Sequence, residues 1–396
     1  MTPLHNLKLL DLSRQLPGPF CSTMLADLGM DTLVVTNPTD LFGTGIPFMA
    51  RNKRSMTLNL KHAEGRELFL RLVDEADVLL EGFRPGVMQR LGLDYTTLSA
   101  RNPRLIYCAI SGYGQDGPYR DRVGHDVNYL GFAGVLGFIG HGDGAPVIPG
   151  VQIADIGAGA LMAVIGILSA VIARATTGRG QMVDIAMTDG AALWNVYPVL
   201  LHLLGQQPER GRTQLTGHNA CYAVYETKDH RYVTVGAYEA HFWTTLCNSL
   251  GHPEFIDRQW AEGDERARIL EIFRAIFRTK TQAEWMAELG EKEICFGPVN
   301  SVEQMLADPQ LRHRGIVAEC IANRSPIVYT ARGRFAEYDV LVGGIEAHLA
   351  NAFLAPADLH AGRWGDALER AWSMPMPPPI PLDGAAAVAD TLNSFL

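Results

Sequence analysis

Residues 7–35, LKLLDLSRQLPGPFCSTMLADLGMDTLVV, decide the class of fold that the sequence predicts. Residues 7–12 have the apolar content of a short buried strand, and the Pro-Gly-Pro run at 17–19 ends that strand. Residues 20–29 have helical apolar spacing, and residues 31–35 predict a second strand. A strand, a helix and a second strand in this order form a parallel βαβ unit with a right-handed crossover, so we predict an α/β fold.

The same alternation continues along the first third of the chain. Apolar runs predict further strands at residues 56–60, 78–81 and 105–110, and helical patterns cover residues 64–75 and 91–102. This order predicts a Rossmann-like domain built on a parallel sheet. No Gly-x-Gly-x-x-Gly motif follows the first strand, so a dinucleotide ligand is not implied.

The length of 396 residues suggests two domains, because a single core rarely extends so far. We predict a large domain over residues 1–200, completed by residues 326–396, and a smaller α+β domain over residues 220–325. A stretch rich in Gly, Gln and Arg separates them. In the smaller domain we predict strands within residues 222–237, helices over 240–250 and 265–289, and a turn at 297–299.

Composition excludes several classes of protein. Apolar residues make up 47% of the chain and charged residues 19%, which is typical of a packed globular protein rather than a disordered one. The net charge of −9 argues against nucleic acid as the main partner. The six cysteines have no Cys-x-x-Cys spacing, so we expect reduced, buried thiols and no metal site. No cationic segment followed by an apolar one opens the sequence, and we therefore expect a cytoplasmic protein.

The chemistry of the chain is expected around Gly-His-Asp-Val-Asn-Tyr at residues 124–129 and a lone Asp155. Asp155 precedes an uncharged run over residues 156–173 and suits the N-cap of a buried helix. That run reaches the minimum length of a membrane span, but its glycines and alanines favour a buried helix, so no membrane partner is expected. His125 precedes another apolar run, and we interpret the two residues as an acid–base pair next to buried surface. A capping aspartate and a hydrogen-bonded histidine without catalytic roles remain the alternative.

Four motifs together resemble the alpha-methylacyl-CoA racemase branch of the family III CoA-transferases over residues 5–320. They are Gly-His-Asp-Val-Asn-Tyr at residues 124–129, Asp155, Arg179-Gly-Gln-Met-Val-Asp184 and Gly236-Ala-Tyr-Glu239. The resemblance implies an isomerase that inverts the alpha carbon of 2-methyl-branched acyl-CoA thioesters. The acyl chain itself is not determined by these motifs.

The resemblance also implies the roles of three side chains. His125 and Asp155 would stand on opposite faces of the alpha carbon and transfer protons through an enolate, and Glu239 would support the histidine. Coenzyme A is then part of the substrate, and no separate cofactor is expected. In similar racemases the domains that carry the histidine and the supporting glutamate meet within an interlocked homodimer, which we expect here.

A coenzyme A site requires basic side chains for phosphates and a neutral groove for the pantetheine arm. The basic run at residues 51–54, Lys61 and Arg84 adjoin predicted strands, where open α/β sheets bind ligands, although a solvated basic surface is the alternative. The resemblance implies contacts from Leu58, Asn59, Leu60, Lys61, Gly82, Phe83, Arg84, Arg90, Gly124, Asp126, Val127, Asn128 and Tyr129. The chain departs from the family at Asn37, since a basic residue usually precedes the proline found here at position 38.

A CoA transferase is the competing enzyme. In that reaction the Asp155 carboxylate attacks the acyl thioester and forms a mixed anhydride before CoA passes to a second acid. Transferases of this family usually lack the histidine and carry a glycine-rich loop, where this chain has His125 and Leu215-Thr-Gly-His-Asn219. We therefore favour the racemase. A CoA-binding sensor or scaffold is a third hypothesis, but it does not require His125, Asp155 and Glu239 together.

Overall fold

The computed structural model describes residues 2–37 and 49–316 together with two short strands, Ile327–Tyr329 and Asn351–Phe353. The chain forms two compact units, Met1–Val299 and Asn300–Leu396. Most of residues 326–396, which were expected to complete the large domain, lie outside the described residues. The predicted domain boundaries therefore remain predictions.

Six parallel strands form the large sheet. They are β1 (Lys8–Asp11), β2 (Asp31–Thr36), β3 (Lys53–Thr57), β4 (Val78–Glu81), β5 (Ile106–Ser111) and β6 (Met182–Ala186). Their order is β3-β2-β1-β4-β5-β6, and every neighbouring pair is parallel. The α/β class with a parallel sheet is confirmed. Because the strand order reverses between β1 and β4, a crevice forms at their carboxyl ends, where α/β proteins bind ligands.

Several helices accompany this sheet, and some of them cover its two faces. They are α1 (Pro17–Asp27), α2 (Ala63–Glu75), α3 (Val87–Leu91), α4 (Tyr95–Arg101), α5 (Asp126–Phe132), a π-helix (Ile153–Leu161) that continues as α6 (Met162–Thr177), α7 (Met187–Ala192) and α8 (Val196–Leu203). Side chains alternate along each strand, so Leu9 and Leu80 join the core beneath α1 and α6, while Leu10 and Leu79 join the core beneath α2 and α4. Strands covered on both faces are continuously apolar, which is why the sequence pattern revealed them.

The helical segment Ile153–Thr177 is long and apolar enough to cross a membrane by length and composition, and 39% of its most apolar window is buried inside the protein. One face of it packs against the sheet, whereas its side chains Ile165 and Ile172 are exposed. A Cβ atom added at Gly166 would lie 2.6 Å from Val183 Cγ1, so the missing side chain allows the helix to approach β6 closely. At the other end, buried Arg174 forms an ion pair with Asp77 at 2.9 Å.

A second, antiparallel sheet consists of β7 (Tyr222–Glu226), β8 (Tyr232–Gly236) and β9 (Phe296–Pro298). Helices α9 (Ala240–Ser249), α10 (Gly263–Phe277) and α11 (Gln282–Leu289) accompany it. Its core contains Trp243 stacked on Phe273, with ring centroids 5.3 Å apart. The turn predicted at residues 297–299 is wrong, because residues 296–298 form an edge strand, a position that tolerates Pro298.

The second compact unit contains α12 (Val302–Ala307) and α13 (Pro309–His313). Its strands β10 (Ile327–Tyr329) and β11 (Asn351–Phe353) pair in parallel.

Five of the six cysteines lie in the described part of the chain, and all five are free thiols. Cys21, Cys108, Cys221 and Cys247 are buried, as expected. Cys295 is exposed, so the expectation of burial is wrong for that residue. Cys320 lies outside the described residues.

Candidate active site

A cavity of about 450 Å³ opens at the carboxyl ends of β1 to β4, where the strand order reverses. Each of these strands contributes the residues that follow it or end it, and α3 closes one side. The lining residues are Leu12, Arg14, Val35, Thr36, Asn37, Leu58, Asn59, Leu60, Lys61, Phe83, Val87, Arg90 and Leu91. The cavity therefore lies where ligands of open α/β sheets are expected.

Six residues expected to contact coenzyme A line this cavity: Leu58, Asn59, Leu60, Lys61, Phe83 and Arg90. Gly82 and Arg84 flank Phe83 in the chain without lining the cavity. The basic run at residues 51–54 also does not line it. Arg51 pairs with Asp27, and Arg54 pairs with Asp31 at 2.7 Å, so these charges are neutralised on the surface beside α1 and β2.

Arg14 is a lining residue that the sequence analysis missed. Its guanidinium carbon lies 5.2 Å from the centroid of the Phe83 ring, within the range of a cation–π contact. Arg14 follows β1 directly, so the rule that ligands bind at strand ends could have identified it. With Lys61 and Arg90 it gives the cavity three basic side chains, while Asn37 lines the wall without a charge. Such a cavity can bind a molecule that combines phosphates with a neutral or apolar remainder.

Glu81 holds the loop that brings Phe83 to the cavity. Its buried carboxylate accepts a hydrogen bond from the Phe83 backbone N–H at 2.7 Å and from the Tyr107 hydroxyl at 3.4 Å. Burial raises the pKa of Glu81 to about 7. A buried side chain therefore holds the loop after β4 in place.

His125 stands at the N-cap of α5, directly before its first residue, Asp126. Its backbone N–H donates to Asn128 Oδ1 at 3.0 Å, and its carbonyl accepts from the backbone N–H of Asn128 at 2.8 Å. Tyr129 donates its hydroxyl hydrogen to the Gly124 carbonyl at 2.5 Å and so fixes the chain on the other side of the histidine. His125 is exposed in the single chain. Within one subunit, the expectation that it lies next to buried surface is therefore wrong.

Asp155 lies in the first turn of the π-helix and is not its N-cap, which is Gln152. The expected capping role belongs to Asp126, whose Oδ2 atom accepts from the backbone N–H of Ala154 at 2.7 Å and from that of Asp155 at 3.0 Å. These two bonds join the start of α5 to the start of the π-helix. The Asp155 carboxylate therefore does not cap the helix. π-Helical turns are rare and occur frequently at functional sites.

The ionisable groups of this region act on one another. The pKa of Asp155 is raised to about 6, mainly by burial and secondly by the charge of Asp126, while the charge of His125 opposes the shift. Burial also raises the pKa of Tyr129 to about 12, and the Asp155 charge adds to that shift. The structure thus brings His125, Asp126 and Asp155 into one electrostatic environment. A carboxyl group that titrates near neutral pH beside a histidine is suited to proton transfer.

Glu239 does not join this group within the single chain. It is exposed and forms the N-cap of α9, where its carbonyl accepts from the Trp243 backbone N–H at 3.1 Å. Among the residues that the structure describes, no hydrogen bond or ion pair connects the Glu239 carboxylate to His125. The association of Glu239 with the histidine therefore remains a prediction.

Comparisons with known proteins agree on one family. The family model described as CoA-transferase family III matches residues 4–338. Alpha-methylacyl-CoA racemase of Mus musculus is 38% identical over 317 residues, which cover 78% of this chain and 81% of the mouse protein. An acyl-CoA transferase of Fusarium pseudograminearum is 38% identical over 345 residues, which cover 80% of this chain and 75% of that protein. The solved structure of a CaiB/BaiF family protein from Brucella suis has a TM-score of 0.70 and 34% identity, and the match covers 79% of this chain and 88% of that one.

Proposed function

The chain belongs to the CoA-transferase family III, and from that premise we propose that it is an acyl-CoA racemase acting on 2-methyl-branched acyl-CoA thioesters. One observation carries the proposal: Asp126, the neighbour of His125 at the start of α5, accepts from the backbone N–H of Asp155 at 3.0 Å, which places the histidine and the half-buried carboxyl group in one region. An imidazole and a carboxyl group on opposite faces of one carbon atom can each serve as base in one direction and as acid in the other. The mouse relative is a racemase by name, which agrees with this assignment.

In the proposed reaction the alpha carbon lies between His125 and Asp155. One group removes the alpha proton, the thioester becomes an enolate, and the other group delivers a proton to the opposite face, so the configuration inverts. The first backbone N–H groups of α5, at Asp126 and Val127, are the candidate donors to the enolate oxygen. Positioned acid–base groups contribute roughly 100- to 10,000-fold and an oxyanion donor roughly 100- to 1,000-fold, so both are required.

We assign the cavity at the ends of β1 to β4 to coenzyme A. Arg14, Lys61 and Arg90 are the groups that would meet its phosphates, and the apolar walls would take the uncharged part. Arg14 supplies, in this proposal, the positive charge that Asn37 lacks. The reaction needs no separate cofactor, because proton transfer alone inverts the carbon.

We further propose that the protein is an interlocked homodimer in the cytoplasm, in which Glu239 of the partner subunit reaches His125. Both side chains are exposed in the single chain, so a second chain can approach them. Apolar side chains on and after α8 are also exposed, among them Val196 at 73% and Leu203 at 76%. Exposed apolar surface of this kind is typical of protein–protein interfaces. The free thiols agree with a reducing compartment.

A CoA transferase is the second candidate, because the Fusarium relative carries that name. With a pKa of about 6, Asp155 is mostly ionised at pH 7 and could attack a thioester. This mechanism gives His125 no role, whereas the racemase uses both residues.

Incubation of the protein with one epimer of a 2-methylacyl-CoA in deuterated water, without an acceptor acid, distinguishes the two enzymes. We expect epimerisation with deuterium at the alpha carbon, read by NMR and mass spectrometry. A matched incubation in ordinary water with an isotope-labelled carboxylic acid tests for CoA transfer. The proposal is wrong if the alpha proton is retained while the labelled acid becomes a thioester through an intermediate that hydroxylamine traps. A panel of 2-methylacyl-CoAs then identifies the preferred acyl chain.

A further inference from the structure

We infer that Asp126 is a positioning residue: its carboxylate ties the backbone of Asp155 to the helix that begins at His125 and places a negative charge beside the Asp155 carboxyl group. This inference rests on the proposed two-base racemase. It adds a side-chain role to a residue expected to contact the substrate through its backbone N–H.

The geometry is that of a bridge between two elements distant in sequence. Asp126 is the first residue of α5, next to His125, and Ala154 and Asp155 lie in the first turn of the π-helix. Asp126 Oδ2 accepts from both of their backbone N–H groups, at 2.7 and 3.0 Å. N–H groups in the first turn of a helix have no acceptor within that helix, and a carboxylate is the strongest acceptor that a side chain offers. One oxygen atom therefore fixes the position of Asp155 relative to His125.

The same carboxylate acts on the charge of Asp155. Burial makes the largest contribution to the raised pKa of Asp155, and the charge of Asp126 makes the second. The charge of His125 lowers this pKa. Tyr129 is a further ionisable neighbour. The other ionisable side chains on elements packed against the π-helix are Cys21 and Asp27 on α1, Tyr107 and Cys108 on β5, Arg174 on α6, Asp184 on β6 and Asp189 on α7.

A raised proton affinity has a clear use in a two-base enzyme. Aspartate ordinarily titrates near 3.9 and histidine near 6.5, and with such a difference the proton shared by a pair would stay almost entirely on the imidazole. A carboxyl pKa of about 6 brings Asp155 close to the ordinary range of histidine. A carboxyl group that holds a proton in this range can serve as the acid in one direction of the reaction and as the base in the other.

The two functions of Asp126 can be separated by two variants. Because both bonds end on one oxygen, Asp126→Asn keeps an acceptor for both N–H groups and removes only the charge. Asp126→Ala removes the charge and the bridge. Asp189→Asn is the control, since Asp189 is an exposed aspartate on α7, which packs against the same π-helix.

The first readout is the pH profile of kcat/KM for epimerisation. Because the ratio of the two kcat/KM values equals the equilibrium constant, a substitution changes kcat/KM by the same factor in both directions, and the pH profile is the informative quantity. We expect Asp126→Asn to keep the plateau within about tenfold and to move the acid limb down by roughly one pH unit, because a neighbouring negative charge is lost. Asp126→Ala should lose about 100-fold at every pH, because Asp155 is no longer held in place. Asp189→Asn should leave the acid limb unchanged.

The second readout does not depend on activity. The carboxyl carbon of Asp155, assigned with Asp155→Asn in protein labelled with ¹³C-aspartate, is titrated by NMR in the wild type and in Asp126→Asn. A lower pKa of Asp155 in the variant supports the inference. An unchanged titration overturns it, as does an Asp126→Asn enzyme with the wild-type acid limb or with the full loss of Asp126→Ala. If the wild type fails to exchange the alpha proton, the proposed racemase fails, and the NMR titration still decides whether Asp126 acts on Asp155.

Discussion

Asp155 is a residue at which the folded protein holds a proton more tightly than the unfolded chain does. Its pKa rises from 3.8 to about 6 on folding, mainly because burial penalises the charged form. Between about pH 4 and pH 6 the folded state therefore binds more protons than the unfolded state, and the free energy of unfolding falls as pH rises. Above pH 6 this loss of stability is complete. A group suited to proton transfer near neutral pH is thus also a source of instability there.

Substitution of this carboxyl group should consequently stabilise the protein. We expect Asp155→Asn to raise the melting temperature at pH 7.5, where the wild type carries the charge. The difference should shrink towards pH 4, where the carboxyl group is protonated in the folded wild type. Thermal unfolding followed by circular dichroism at both pH values measures this, with Asp189→Asn as the exposed control. A gain that is larger at pH 4 than at pH 7.5 would show that the sign is wrong.

The strands show how far the sequence determines elements of this fold. The prediction at residues 78–81 matches β4 (Val78–Glu81), because both faces of this strand are buried and its apolar run is unbroken. The prediction at 56–60 is displaced from β3 (Lys53–Thr57), because an edge strand with exposed Arg54 and Ser55 lacks an apolar pattern. Strand β6 was missed as an element, because it is only five residues long and the exposed Asp184 interrupts its apolar residues.

Two predicted helices are divided in the structure. The helix expected over residues 265–289 is split between α10, which ends at Phe277, and α11, which begins at Gln282. Residues 91–102 were expected to form a single helix, but α3 ends at Leu91 and α4 begins at Tyr95. Gly92 has a φ of +68°, and Asp94 caps α4 by accepting from the Thr97 backbone N–H at 3.2 Å. Both signals, a glycine at a helix end and an aspartate before a helix, were present in the sequence.

The elements of the site were predictable to different degrees. Lys61 followed from the rule that ligands bind at strand ends, and its place in the cavity agrees with that rule, whereas Leu58 and Phe83, which also line the cavity, came from the family resemblance. The pairing of His125 and Asp155 was an interpretation of their positions before apolar runs, and the resemblance supported it, because no local spacing relates residues about thirty positions apart. The bridge through Asp126 depends on tertiary structure and has no sequence signal of its own.

At the scale of the whole molecule, His125 and Glu239 are both exposed in the single chain, and no contact between them is found among the described residues. The proposed interlocked dimer supplies one, since each site would combine His125 and Asp155 of one subunit with Glu239 of the other. The chain has a mass of 43.3 kDa, so native light scattering should report about twice that mass.

Complementation tests the shared site. Chains with His125→Ala and chains with Glu239→Ala should each have little activity. Co-expressed, they should regain about a quarter of the wild-type activity, because half of the dimers are mixed and each mixed dimer has one intact site. His125→Ala with Asp155→Asn is the matched control and should not recover, because both residues belong to the same subunit. An active monomer, or no recovery in the first pair, would contradict the shared site.

The central claim is that His125 and Asp155 are bases on opposite faces of the alpha carbon, and deuterium incorporation by the two single variants tests it most directly. Each epimer of a 2-methylacyl-CoA is incubated separately with His125→Ala and with Asp155→Asn in deuterated water, and the alpha carbon is followed by NMR. Each variant should incorporate deuterium into one epimer without inversion, and the two variants should act on opposite epimers. The claim is contradicted if both variants exchange the same epimer, or if His125→Ala is fully active while Asp155→Asn is inactive and the wild type transfers CoA to an added carboxylate.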